Sequence, residues 1–120
     1  MPTDAAALAL HALLEHHRPA YHRYAAAVLT DEDLAHHTVQ TALEDFTLHS
    51  GSILSTRNAA ATVWSALEHR VREAAHATGR PTPDNDLHTL RHGLGLDTDQ
   101  IAALTGTDPA HTHSCLRALA

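Results

Sequence analysis

The sequence predicts an all-α protein, and three observations indicate this fold class. Apolar residues recur at the spacing of amphipathic helices, strong helix formers such as Ala and Leu dominate, and no stretch alternates like a half-buried strand. At 120 residues the chain is long enough for one domain or two very small ones. Because it contains one Trp and one Phe, Leu, Ala and Val must supply most of the core.

The first thirty residues predict two helices that meet at a proline. Residues 3–17 are rich in Ala and Leu, and Thr3 is expected to cap the first helix. Pro19 is then expected at a first-turn position or at a kink. The second helix should run to about Leu29.

Residues 31–49 predict the central helix of the protein. Thr30, three residues ahead of Asp33, is typical of a capping box at its start. Apolar residues at helical spacing predict one buried stripe. That stripe consists of Leu34, Thr38, Val39, Ala42, Leu43 and Phe46.

A further helix is expected from residue 55 or 56 to about Ala77. Its predicted buried stripe consists of Ala60, Val63, Trp64, Leu67, Val71 and Ala74. Together, residues 1–77 should form a four-helix bundle around Trp64 and Phe46. The Pro- and Gly-containing segment 78–86 is expected to be a linker.

Residues 87–120 predict a helix-turn-helix. A short helix over 86–94 is followed by a second helix, which a capping-box variant of Asp97 and Gln100 opens. Gly106 is expected to end that helix, and Pro109 is the first residue of the terminal one. Two short helices joined by a short Gly-containing turn are typical of DNA-binding proteins, but they also occur as helical corners without DNA contact.

The charge balance argues against strong, indiscriminate binding to nucleic acid. Eight basic residues, all Arg, oppose 14 acids and give a formal net charge of −6 with His neutral, although 13 His can add positive charge at low pH. No apolar run could span a bilayer and no leader pattern is present, so we expect a soluble, cytoplasmic protein. The lone Cys115 excludes an internal disulfide.

The order of these elements resembles the bacterial sigma-70 family of RNA polymerase sigma factors, in its small extracytoplasmic-function (ECF) group. The resemblance is carried by DEDLAHHTVQTALEDF, ATVWSALEHRVREAA and LRHGLGLDTDQIAALTGTDPAHTHSCLRAL, in that order. It implies a region-two-like bundle over 1–77, a linker over 78–86 and a region-four-like helix-turn-helix over 87–120. It covers nearly the whole chain and depends on pattern and order more than on an invariant motif.

The resemblance implies two binding surfaces. Docking on RNA polymerase, or on an anti-sigma-like protein, is expected on the polar face of the central helix, at His36, His37, Gln40, Thr41 and Glu44. Promoter DNA would contact the terminal helix and the helix that carries Trp64. The residues expected there are His111, His113, Ser114, Arg117, Arg70 and Arg72.

Several positions depart from the family pattern. His36 and His37 stand where the family has an acidic pair, and Thr107 and Thr112 replace apolar residues of the helix-turn-helix core. The basic tail after the tryptophan helix is reduced to a few arginines. These departures describe a reduced or diverged sigma-like protein.

Metal binding and catalysis have little support in the sequence. His88 and His92 stand four residues apart, which places two imidazoles on one helix face, but HExxH and a second Cys are absent. No phosphate-cradling glycine loop and no GxSxG motif occurs. We therefore expect no metal, no cofactor and no enzymatic activity.

Two functions remain open from the sequence, and the arginines can distinguish them. A transcription-initiation protein that binds polymerase and promoter DNA should form a basic patch in three dimensions. A diverged sigma-like interaction module, which binds an anti-sigma protein, polymerase or its own copy without autonomous DNA binding, should pair its arginines with acids and expose an apolar groove. The arginines concerned are Arg57, Arg70, Arg72, Arg80 and Arg117. In either case the two predicted modules could pack together, sealed by Ile53, Leu54, Leu87, Leu90 and Leu94.

Overall fold

A computed structural model describes residues 2–82 and 86–119, and every element in these ranges is a helix. The elements are α1 (Pro2–Leu29), α2 (Glu32–Leu48), α3 (Ser50–Leu54), α4 (Ala59–Ala77), α5 (Asp86–His88), α6 (Thr98–Thr105) and α7 (Pro109–Leu119). A π-helical turn, Thr89–Gly93, continues α5. The all-α prediction is confirmed, while residues 83–85 of the predicted linker lie outside the described residues.

Helix α1 is a single helix, so the predicted division of residues 3–29 into two helices is wrong. Pro19 lies inside α1. A proline in a helix removes one backbone hydrogen bond, which is costly when the freed carbonyl is buried. Pro19 is exposed, so water can replace the missing bond there. The apolar stripe continues on both sides of it, from Leu10 and Leu14 to Tyr21 and Tyr24, and all four are buried.

Helix α2 is capped by Asp31, and the predicted Thr30 capping box is wrong. The Asp31 carboxylate accepts a hydrogen bond from the Leu34 backbone N–H at 3.1 Å. Thr30 instead adopts a left-handed backbone with φ of 53°. Its hydroxyl donates to the Leu29 carbonyl at 2.7 Å. Because only two residues separate α1 from α2, Thr30 is used to reverse the chain and cannot also cap the next helix.

Helices α1, α2 and α4 pack on one another to form the main part of the core. The rings of Tyr24 and Trp64 lie 4.8 Å apart between centroids, and Phe46 is buried beside them in the same core. Most of the predicted stripes are confirmed, with Ala35 and Ala75 buried in addition. The predicted stripe residues that are buried are Val39, Ala42, Leu43, Phe46, Val63, Trp64, Leu67 and Val71.

The C-terminal helices share this core. Leu90, Leu94, Ile101 and Leu104 belong to the same cluster of buried residues as the α1, α2 and α4 side chains. The Arg23 guanidinium of α1 donates to the Leu94 carbonyl at 2.7 Å. The two predicted modules therefore pack against each other.

The turn between α6 and α7 rests on the start of α4. Both bonds of the predicted Asp97–Gln100 capping box are present, at 2.8 and 2.9 Å, and Gly106 ends α6 with φ of 71°. A Cβ on Gly106 would collide with the backbone of Ala61, and the Asn58 side chain donates to the Gly106 carbonyl. The turn between α6 and α7 is thus fixed by contacts with the start of α4.

Three threonine hydroxyls line the interior of this turn. Thr105 bonds to the Ile101 carbonyl at 2.8 Å and to Thr107 at 2.9 Å, and Thr107 bonds to Thr112. Thr112 is only 2% exposed. The hydroxyls of the buried Thr105 and Thr112 both bond to that of the exposed Thr107, which removes most of the cost of burying them.

Candidate functional site

The predicted docking residues of α2 line depressions on the two flanks of its exposed face. His37 and Thr41 line a depression that faces α4, beside Arg70. Gln40 and Glu44 line the neighbouring groove, where α2 meets α1. At about 100° per residue, the five predicted docking residues lie within one arc of about 140° on α2, and they line neighbouring depressions on it.

His36 also lies on the α1 side, but closer to the N-terminus of α2. Its ring stacks on the His22 ring of α1, with centroids 5.3 Å apart. Burial, the neighbouring His36 and Arg18 together lower the pKa of His22. The His22 ring is therefore favoured in its uncharged form.

An open groove of about 390 Å³ runs between α1 and α2. Leu14, Leu43 and Leu48 supply its apolar surface, and Leu48 is 79% exposed. The polar residues along it are His11, Glu15, Arg18, Gln40, Glu44 and Thr47. An apolar floor with a polar rim is the composition of a protein-binding surface more than of a sealed helix contact.

The rim of this groove is organised by hydrogen bonds across the two helices. The Arg18 guanidinium donates to Glu15 at 3.2 Å and to the Gln40 side-chain oxygen at 3.3 Å. The Gln40 amide nitrogen donates to Glu44 at 3.4 Å. The sequence pattern missed Arg18 and Leu48. Leu48 could have been found as an apolar residue that lies off the buried stripe of α2.

Three of the arginines considered for DNA contact are engaged with acids. Arg70 pairs with Asp45 and lies over the Phe46 ring, with its guanidinium carbon 6.0 Å from the centroid. Arg72 pairs with Asp86 at 3.1 Å, and Arg80 pairs with Asp31 at 3.8 Å. Among the described side chains, Arg57 and Arg117 have no carboxylate within ion-pair distance.

The Arg72–Asp86 pair belongs to a buried polar seam between α4 and α5. Asp86 is 6% exposed, and its carboxylate lies beside the Tyr24 hydroxyl and the Glu68 carboxyl. Burial, followed by the neighbouring Asp86 carboxylate, raises the pKa of Glu68 to about 7. Burial and Asp86 also raise the pKa of Tyr24.

The residues expected to read DNA on α7 are all on its open side. His111, His113, Ser114 and Arg117 are exposed, and the His111 Nε2 atom lies 3.5 Å from the Cys115 sulfur. His113 and Arg117 line a pocket of about 340 Å³ between α7 and the segment formed by α5 and the π-helical turn. The structure brings them close to residues that the sequence singled out only for their spacing.

Those residues are His88 and His92. Their rings lie 4.6 Å apart between centroids, and both line the same pocket. Among the described residues, no three His, Cys, Asp or Glu side chains are arranged to hold a metal ion.

Fold and surfaces together define an all-α protein with an open groove between two helices and a second, cationic pocket near its C-terminal helix. Over the described residues, no helix combines the length and apolar character that a membrane span needs. Comparison with protein-family models, with curated proteins and with solved structures finds no match to the chain.

Proposed function

We propose that this chain is a sigma-like protein-interaction module that docks on bacterial RNA polymerase through the groove between α1 and α2, without autonomous promoter binding. The observation that carries the proposal is the groove itself, since it combines exposed apolar surface with two of the predicted docking residues, Gln40 and Glu44. The class of partner is taken from the resemblance of the sequence to sigma factors.

The organisation of the rim supports docking over a simple solvated surface. The bonds from Arg18 to Gln40 and from Gln40 to Glu44 fix the polar side chains before a partner arrives. Fixed side chains lose less entropy on association, which favours binding. Leu48 then offers an apolar side chain that a partner could bury.

The arginines support the absence of autonomous DNA binding. Arg70, Arg72 and Arg80 must release Asp45, Asp86 and Asp31 before they can contact phosphates. Each phosphate contact that is not made removes part of the electrostatic term that dominates affinity for DNA. The net charge of −6 acts in the same direction.

The test is binding of the purified chain to core RNA polymerase, measured by biolayer interferometry at several salt concentrations. We expect Leu48→Asp to weaken binding about tenfold or more, because it places a charge in an apolar contact. Ala103→Asp, an equally charged change at an exposed position of α6, is the matched control and should change affinity by less than about twofold.

Two results would contradict the proposal. One is the failure of the unaltered chain to bind core polymerase, and the other is equal weakening by both variants. Sedimentation velocity adds a check on self-association. A dimer that Leu48→Asp dissociates would identify a second copy of the chain, and not polymerase, as the occupant of the groove.

DNA binding by α6 and α7 is the second candidate function. It is favoured by the exposed face of α7, where Arg117 is unpaired among the described side chains. In a salt series at pH 6 and pH 8, this function predicts saturable DNA binding that weakens with salt and is lost in Arg117→Ala. If DNA is ignored at both pH values while polymerase is bound, this candidate is rejected.

A further inference from the structure

The pocket between α5 and α7 carries a second inference. We propose that it binds a small phosphate-bearing anion, such as a phosphomonoester. The pocket lies between the C-terminal helices and shares no lining residue with the groove between α1 and α2, so the inference goes beyond the proposed docking function.

The charge of this pocket is opposite to that of the chain. Its titratable lining residues are all Arg or His: His88, Arg91, His92, His113 and Arg117. Among the described residues, no Asp or Glu side chain lines it, although acids outnumber arginines by 14 to 8 in the whole sequence. A concave site lined by one sign of charge concentrates ligands of the other sign.

The two guanidinium groups are available to a ligand. Arg91 donates one hydrogen bond to the Leu96 carbonyl, at 3.2 Å, which orients its side chain, and within the described part of the chain its other N–H groups have no further acceptor. Arg117 has no acidic partner among the described side chains. In this respect both differ from Arg18, Arg70 and Arg72, which are paired with acids.

The set of donors fits a phosphate. Guanidinium groups bind phosphate oxygens in a forked, two-bond geometry, and imidazoles and the Thr98 hydroxyl can donate to the remaining oxygens. The volume of about 340 Å³ is within the range of small-molecule sites. Leu116 supplies an apolar wall for the organic part of such a ligand.

The surroundings favour a small anion over a DNA backbone. Asp97 and Asp99 flank Thr98 at the start of α6, and both are exposed. A duplex laid across this region would bring its own phosphates close to these acids, whereas a small ligand can enter the pocket, which neither acid lines. The repulsion therefore discriminates by size.

The experiment is isothermal titration calorimetry of the full chain with inorganic phosphate and with pyrophosphate, at constant ionic strength and with a metal chelator present. We expect saturable binding that Arg117→Gln and His92→Gln each weaken, Arg117→Gln by about tenfold. Arg57→Gln removes the same charge from an exposed arginine outside the pocket. This matched control should change affinity by less than about twofold. Leu48→Asp should leave phosphate binding unchanged, which keeps this test separate from that of the groove.

Three outcomes would overturn the inference. They are the absence of saturable binding at millimolar phosphate and pyrophosphate, an equal loss in Arg57→Gln and Arg117→Gln, and binding of a short DNA duplex without binding of the small anions. The last outcome would assign these residues to a DNA surface. Circular dichroism checks that each variant is folded, and Arg91→Gln replaces any variant that is not.

Discussion

The groove between α1 and α2 and the seam between α4 and α5 contain similar polar residues, yet their surroundings differ. In the seam, the Asp86 carboxylate is buried and forms an ion pair with Arg72. In the groove, Gln40 and Glu44 are bonded to each other at the surface, beside an exposed Leu48. Both regions contain an acid–arginine pair, but the Asp86 carboxylate of the seam is buried, whereas Leu48 of the groove is exposed.

This difference shows that residue type alone does not identify a binding surface. Arg70 and Arg72 look available on the sequence, but both are used to join elements of the same chain. The surface that is left for a partner is set by which polar groups the fold has already paired. Substitutions on each side of the molecule test this difference.

The largest effect is expected from Gly106→Ala, which disrupts the contact between the α6–α7 turn and the start of α4. The new Cβ would collide with the Ala61 backbone, and the position requires a positive φ. We expect a loss of about 3 kcal/mol or more in the free energy of unfolding, measured by urea denaturation. Gly79→Ala is the control, since Gly79 has the same φ of 71° but open space around its Cα. It should cost about 1 kcal/mol, and an equal cost at both positions would contradict the contact with α4.

The next largest effect is expected from Arg72→Leu. It leaves the buried Asp86 carboxylate without its partner, and such a loss typically costs about 3 kcal/mol. Arg70→Leu is the matched control on the same helix. Its partner Asp45 is half-exposed, so the loss in free energy of unfolding should stay below about 1 kcal/mol. Similar losses in the free energy of unfolding for both variants would show that the Arg72–Asp86 pair contributes no more to stability than the half-exposed Arg70–Asp45 pair.

A smaller, pH-dependent effect is expected from Glu68→Gln. Folding raises the pKa of Glu68 from 4.5 to about 7, so the folded chain keeps a proton that the unfolded chain releases between these values. The stabilisation is therefore present below about pH 4.5 and is lost as the pH rises to about 7. Because Glu68 is partly exposed, solvent screening reduces this stabilisation to about 1 kcal/mol. The variant should lose this part of the pH dependence in urea denaturation from pH 4.5 to 8.

Glu73→Gln is the control for this prediction, because Glu73 is an exposed glutamate on the same helix. It should keep the pH dependence of the unaltered chain. If Glu68→Gln shows the same pH dependence of the free energy of unfolding as the unaltered chain, the assignment of Glu68 to the seam is contradicted.

The smallest effect on stability is expected from Leu48→Asp. Leu48 is exposed, so its replacement should change the free energy of unfolding by less than about 0.5 kcal/mol. Thermal denaturation followed by circular dichroism measures this change. A large loss would mean that Leu48 supports the fold, and the groove would then not be a free surface.

Local patterns predicted the helices well because caps and apolar stripes depend on neighbouring residues. The Asp97–Gln100 box, the Gly106 terminus and the buried Phe46 all follow from spacings of a few residues. Two local predictions failed for a tertiary reason. The stripe of α1 continues past Pro19, and Thr30 is needed for a chain reversal.

The candidate surfaces were less predictable because their partners are distant in sequence. Twenty-five residues separate Arg70 from Asp45, and 22 separate Arg18 from Gln40. Periodicity carries no information about such pairs. It could place Gln40 and His37 on the polar side of one helix, but it could not assign Gln40 to the groove beside α1 and His37 to the depression beside α4.

The most direct measurement of the docking proposal is site-specific photocrosslinking to core RNA polymerase. A photoreactive amino acid is placed at Leu48 in the groove and, in separate proteins, at Thr41 on the α4 side of α2 and at Ala103 on α6. We predict a polymerase crosslink from position 48 and none from position 103. A crosslink from position 41 or 103 without one from position 48 would contradict docking through the groove.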